Sequence, residues 1–173
     1  MTNLITRQTL AELTQAAKDS PRLRKNLNFH TANDSACHRL LNALEPGTYI
    51  APHRHLSVEK DETIIVMSGR FGVLLFDAQG SITETVVLSN SQENQDSLGI
   101  TIPAGVFHSM VALESGSVFF ESKAGPYAAF TEEEKAHWAP LEGDPACAAY
   151  LHHMMAQFDG SVQLTVRAAM PFR

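Results

Sequence analysis

Residues 62–88 read ETIIVMSGRFGVLLFDAQGSITETVVL, and they hold three short runs rich in Ile, Val, Leu, Phe and Thr. The first, Glu62–Met67, ends at Ser68-Gly69; the second, Arg70–Phe76, ends at Asp77-Ala78-Gln79-Gly80; the third is Ile82–Leu88. Runs this short, rich in β-branched and aromatic residues and bounded by Gly and Asp, predict strands joined by tight turns. The pattern continues in both directions. Upstream lie Cys37–Leu44 and Thr48–His53, separated by Glu45-Pro46-Gly47; downstream lie Ile100–Ile102, Val106–Leu113 and Val118–Lys123, the last two separated by Glu114-Ser115-Gly116. No segment between these runs has room for a crossover helix, so the strands must pair largely antiparallel. Many short antiparallel strands close into a sandwich, barrel or jelly roll. The chain is predicted to be all-β.

The ends of the chain read differently. Leu10, Leu13 and Ala17 recur at helical spacing behind Thr6, a candidate N-cap, and Pro21 follows, which predicts an N-terminal helix over 6–18. Beyond Gly125-Pro126 the run Thr131-Glu132-Glu133-Glu134 has the acids of a helix N-terminus and predicts one short helix. A further helix is expected around Ala146–Phe158 and a strand at Val162–Val166. The expected organisation is a single domain over 1–173, with a barrel core at about 37–124 and a C-terminal extension at 125–173.

Composition narrows the class. With 44% hydrophobic and 18% charged residues the chain reads as soluble and globular. No apolar stretch approaches bilayer length and the N-terminus lacks a signal-like pattern, so no membrane partner and a cytoplasmic location are expected. A net charge of −6 argues against nucleic acid; the run Arg22-Leu23-Arg24-Lys25 reads as one solvated turn. Cys37 and Cys147 are far apart and read as free thiols. Leu10, Leu13, Leu151, Met154, Met155, Phe158 and Leu164 are many apolar residues for segments outside a barrel. They predict a homodimer that covers them, although packing back on the chain's own barrel would hide them equally well.

Of eight histidines, His38, His137, His152 and His153 read as ordinary surface or hydrogen-bonded residues. Pro52-His53-Arg54-His55 differs, because two imidazoles two residues apart on an extended chain face the same way. Their Cβ atoms then stand roughly 6.6 Å apart, a span that one metal ion can bridge. Taken alone, such a pair is more often a polar strand end than a metal site. Glu62 opens the next apolar strand, and Pro103-Ala104-Gly105-Val106-Phe107-His108 sets another imidazole just inside a strand.

Gly47, His53-x-His55, Glu62 and Gly69 together resemble the first cupin motif, and Pro103-x-Gly105-x-x-His108 resembles the second. The resemblance implies a cupin jelly-roll barrel with metal ligands His53, His55, Glu62 and His108. The loop between His55 and Glu62 is about two residues longer than is usual in the family, which leaves Glu59 as a competing ligand. Glu62 is preferred for its distance to Gly69. Ala112 stands where the second motif often has Asn, and Gly99 is displaced from the usual glycine position.

A narrower resemblance covers roughly residues 22–143. The segments Asn26-Leu-Asn28-Phe-His30, Arg39 to Tyr49, Pro52 to His55, Gly125-Pro-Tyr127 and Trp138-Ala-Pro140 are similar to the WbuC family of cupin-fold metalloproteins. That family implies a link to O-antigen or other surface-polysaccharide synthesis and names no reaction. It also offers His30, Arg39 and Tyr127 as substrate-pocket residues. Glu121 and Lys123, which share one face of their strand, are further candidates; a solvated ion pair is the simpler reading of those two, and packing over a barrel end is that of Tyr127 and Trp138.

Three imidazoles and a carboxylate suit one divalent Fe, Mn, Ni or Zn ion, either with open positions for a ligand or as a closed structural zinc. The expected partner is a small molecule, a sugar or nucleotide-sugar. Open functions are a metal-dependent isomerase or dioxygenase, a saccharide-sensing module, and a metal-free epimerase, against which the four ligands argue.

Overall fold

Thr6 caps the first helix as expected: its Oγ1 accepts from Thr9 N at 3.1 Å at the start of α1, Arg7–Lys18. The computed structural model describes residues 4–92 and 96–159. Eight strands follow: β1 Arg24–Asn28, β2 Cys37–Leu44, β3 Glu62–Ser68, β4 Arg70–Phe76, β5 Ile82–Ser89, β6 Gly99–Ile102, β7 Phe107–Ala112 and β8 Ser117–Ala124. A 3-10 turn at Glu132–Glu134 and helix α2, Cys147–Met155, complete the described elements together with a last 3-10 turn at Ala156–Phe158. The strands form one sheet of order β1-β2-β8-β3-β6 and a second of order β5-β4-β7, with antiparallel pairing throughout. This is the all-β jelly-roll arrangement that the sequence predicts, with short helical additions at both ends.

Alternation along the strands sorts side chains into three layers. Between the sheets, Leu44, Ile64, Val66 and Phe119 meet Phe71, Val73, Leu88 and Met110. Outside the larger sheet, α1 lays Leu13 and Ala17 on Leu41, Ala43 and Val118. Outside the smaller sheet, α2 and the segment before it cover Leu74, Phe76, Phe107 and Val111 with Leu151, Met154 and Trp138. The terminal apolar residues therefore pack on their own barrel, and the expected homodimer does not follow from their area. Among the described residues no helix is long and apolar enough to cross a membrane.

Three local expectations are corrected. Thr48–His53 forms no strand: among the described residues its ladder contacts are isolated bridges from His53 to His108 and Lys135. Its middle carbonyls go to side chains instead, with Arg24 Nη1 donating to Tyr49 O at 2.6 Å and Ser109 Oγ to Ile50 O at 2.7 Å, and Pro52 has no N–H to offer. Arg24 and Lys25 belong to edge strand β1 rather than to a solvated turn, and Arg22 and Arg24 both pair with Glu142, at 2.6 and 2.8 Å. The acidic run after Thr131 makes only one 3-10 turn, because Lys135 turns extended and bridges His53. The strand expected at Val162–Val166, and Leu164 with it, lie outside the described residues.

Candidate metal centre

Register places the site. On the inner face of the larger sheet His38 lies opposite Lys123, and Lys123 opposite Glu62, so three polar side chains form one row across β2, β8 and β3. Two residues further along, Leu40, Glu121 and Ile64 form the next row; beyond it come Val66 and Phe119. Asn42 stands in that third row opposite Phe119, so the barrel interior turns from a fully polar row to a mostly apolar one along the strands.

The two motifs that carry the histidines are tied together through backbone. His53 N donates to His108 O at 3.1 Å and His108 N to His53 O at 2.8 Å, while Gly105 N donates to His55 O at 2.7 Å. Gly105 holds a φ of +86°, a conformation that favours glycine, and this turn delivers His108 to the barrel interior. His53, His55, Glu62 and His108 thereby offer donor atoms that all lie within 4.8 Å of one another, a group able to hold a metal ion. Glu59 is exposed in its loop and outside this group.

The donor set fits a cation. Nδ1 of His53 lies 3.0 Å from Ala51 O and Nδ1 of His108 lies 2.9 Å from Val106 O; in the neutral tautomer that donates to those carbonyls, each Nε2 carries a lone pair. His108 Nε2 then faces Glu62 Oε2 at 3.1 Å, two acceptors that need a proton or a metal ion between them. His55 Nε2 lies 3.9 Å from the same oxygen and is buried without a hydrogen-bond partner among the described residues. Burial, with His108 adding in the same direction, pushes His53 down to about 3; burial pushes His55 down to about 4 against the attraction of Glu62. Both rings stay neutral near pH 7, the form that binds metal.

Glu62 and its neighbours form a buried charge chain. Lys123 Nζ sits 3.0 Å from Glu62 Oε1 and 2.6 Å from Glu121 Oε1, and Asn42 Nδ2 donates to Glu121 Oε2 at 2.8 Å. Burial drives the Glu62 carboxyl up, but the contact with His108 and the Lys123 charge outweigh it and hold Glu62 well below the usual range. Burial drives Glu121 up to about 8, and the charge of Glu62 pushes the same way. For Lys123 burial favours the neutral amine, and the two carboxylates overcome it and raise its pKa. The reading of Glu121 and Lys123 as a solvated strand face is corrected, since their face is the barrel interior.

A pocket opens beside the histidines, lined among others by His55, His38, Lys60, Lys123, Tyr127 and Phe130. Phe130 was not legible as a site residue; its ring centroid lies 4.6 Å from that of His53 and 5.6 Å from that of His55. Lys60 and Asn42 were also missed, although Asn42 shares the alternation of His38 and Leu44 on β2 and so could have been placed inward. Tyr127 lines the pocket but is 66% exposed, so it does not pack over a barrel end; Trp138 does, 5.0 Å from Phe76 between ring centroids. His30 stacks on His38 with centroids 4.1 Å apart and accepts from Arg39 N at 3.3 Å. His30 and the exposed Arg39 stand outside the pocket lining. His38 is buried and its Nε2 contacts Asn33 O at 3.1 Å, the hydrogen-bonded role expected of it, though it also borders the pocket. Cys37 and Cys147 are free thiols.

A family described as a domain of unknown function (DUF6016) matches residues 5–88, a span that includes His53, His55 and Glu62 but not His108. No curated protein matches the sequence. Among solved structures, protein SO0799 from Shewanella oneidensis is similar with a TM-score of 0.52 at 15% identity, over 88% of this chain and 94% of that one. KdgF from Halomonas sp. aligns with a TM-score of 0.46 at 21% identity, over 63% of this chain and 84% of its own. A cupin superfamily protein from Desulfitobacterium hafniense aligns with a TM-score of 0.42 at 11% identity, over 58% of this chain and 77% of that one. The chain has the cupin jelly-roll fold, with a His/Glu cluster at the polar end of its barrel that is able to hold a metal ion.

Proposed function

We propose that the protein is a metal-dependent cupin in which His53, His55, Glu62 and His108 hold one divalent transition-metal ion, and that it acts on a sugar or related polar metabolite. The observation that carries the metal is the His108–Glu62 contact at 3.1 Å beside the partnerless His55 Nε2. In the tautomer that donates to Val106 O, His108 Nε2 and Glu62 Oε2 face each other as acceptors, and a cation between them supplies the bond that their burial otherwise removes. The polar metabolite is supported by the pocket, whose lining of Lys, His and Tyr with one aromatic wall suits an oxygen-rich ligand. The link to surface polysaccharide rests on the resemblance to the WbuC family. A bound ion would supply Lewis acidity and coordination positions for ligand oxygens. Within this frame Lys123 holds Glu62 Oε1, so Glu62 Oε2 is the oxygen turned to the histidines, and Phe130 shields two imidazoles from water.

Elemental analysis of protein purified without an affinity tag should find close to one transition-metal ion per chain. Occupancy near zero, both as purified and after reconstitution with Fe, Mn, Ni and Zn, rejects the reading. Metal-dependent turnover on a panel of nucleotide-sugars then separates an isomerase or dioxygenase from a saccharide sensor, which would bind without turnover.

A further inference from the structure

Charges around the pocket balance differently with and without an ion. Two ammonium groups, Lys60 and Lys123, stand beside three carboxylates, Glu62, Glu121 and Glu134. A divalent ion on the histidines adds two positive charges and leaves the site net positive whether or not Glu121 keeps its proton. Most of these groups are matched locally. Lys123 contacts both Glu62 and Glu121, and Glu134 accepts from Thr131 N at 2.9 Å and Leu56 N at 3.1 Å.

Lys60 is the exception. Its Nζ donates to Pro126 O at 3.0 Å, a neutral carbonyl, and among the described residues it forms no ion pair. An ammonium group has three N–H donors, so its remaining donors are available to a ligand at the pocket, where Tyr127 and Phe130 also stand. A half-buried cation without a counter-ion, in a site whose net charge turns positive when metal binds, is arranged for an anion.

We propose that Lys60 binds the acidic group, a carboxylate or a phosphate, of a polyhydroxylated ligand whose other oxygens reach the metal cluster. The proposal rests on the metal-centre reading above and narrows its ligand to acidic sugars. The test is calorimetric titration of metal-loaded full-length protein with gluconate, glucose 6-phosphate and glucose, with metal content measured in every sample. At least one acid should bind roughly tenfold or more tightly than glucose, and whichever binds distinguishes carboxylate from phosphate. Lys60→Gln, which keeps an N–H donor for Pro126 O, should remove that advantage with metal content unchanged, and Lys60→Arg should restore it. Chelator-treated protein should lose it as well. Acids that bind no better than glucose, or not at all, in protein shown to hold its metal overturn the proposal, as does a Lys60→Gln variant that binds like wild type. A chain that takes up no metal refutes instead the reading beneath it.

Discussion

Glu62 has its two oxygens in different surroundings: Oε1 meets Lys123 Nζ at 3.0 Å, while Oε2 faces His108 Nε2 at 3.1 Å and His55 Nε2 at 3.9 Å. A glutamine here keeps the shape but loses the charge that a metal ion and Lys123 both use. Glu62→Gln should therefore weaken metal affinity by at least about tenfold, whereas Glu59→Gln, in an exposed loop, should leave it within about twofold. Competitive metal titrations of the two variants decide the matter, and the opposite order would reassign the ligand. That Glu62 rather than Glu59 lies in the cluster was legible because only Glu62 has the motif distance to Gly69, whose φ of +74° makes the turn into β4 and whose Cβ position is filled by Ser117. Lys60 and Phe130 were not legible, since both lie in loops whose approach to the histidines depends on contacts distant in sequence, such as Lys60 Nζ to Pro126 O. Lys123 and Glu121 were legible as a pair on one face; which face was interior depended on the pairing of β8 between β2 and β3.

At the level of elements, seven of the eight observed strands are the expected ones with ends shifted by a residue or two, because one or both faces bury apolar side chains and the alternation survives in the sequence. The eighth, β1, has burial only at its first residue and otherwise exposed positions, so it left no hydrophobic pattern to read. Thr48–His53 failed in the opposite way: Thr48 and Tyr49 are buried, yet the carbonyls of Tyr49 and Ile50 are taken by side chains rather than a ladder. The C-terminal helix was expected from composition, but its seat was not. Met154 is fully buried on the outer face of the smaller sheet, in a cluster with Leu74, Phe76, Phe107 and Val111. Met154→Ala should cost about 2–5 kcal/mol in urea denaturation while metal content stays unchanged. A loss below about 1 kcal/mol would mean that α2 contributes little to the barrel's stability.

Across the whole molecule, the polar end of the barrel makes folding stability depend on pH in a way the apolar end cannot. In the metal-free protein His53 and His55 have folded pKa values near 3 and 4, below the ordinary value of 6.5. Between pH 6.5 and 4 the unfolded chain takes up protons at these rings and the folded chain does not, so stability falls with acid over that window. Glu121 runs the other way, because its folded pKa near 8 lies above the ordinary 4.5. Between pH 4.5 and 8 the folded chain keeps a proton that the unfolded chain has lost, and stability falls as pH rises. From 4.5 to 6.5 two histidines outweigh one glutamate, and from 6.5 to 8 the glutamate acts alone. Glu62, held well below 4.5, adds to the acid-side loss as pH falls under 4.5. The contribution of this site therefore peaks near pH 6.5. Urea denaturation of chelator-treated protein at pH 5, 6.5 and 8 should show wild type less stable at both flanks than at 6.5. Glu121→Gln, which retains an oxygen for Lys123 or Asn42, should keep the acid-side decline and lose the alkaline one. A wild type whose stability is flat or rising from 6.5 to 8, with Glu121→Gln following the same curve, would show that Glu121 is already ionised in the folded barrel and that Lys123 balances both carboxylates at once.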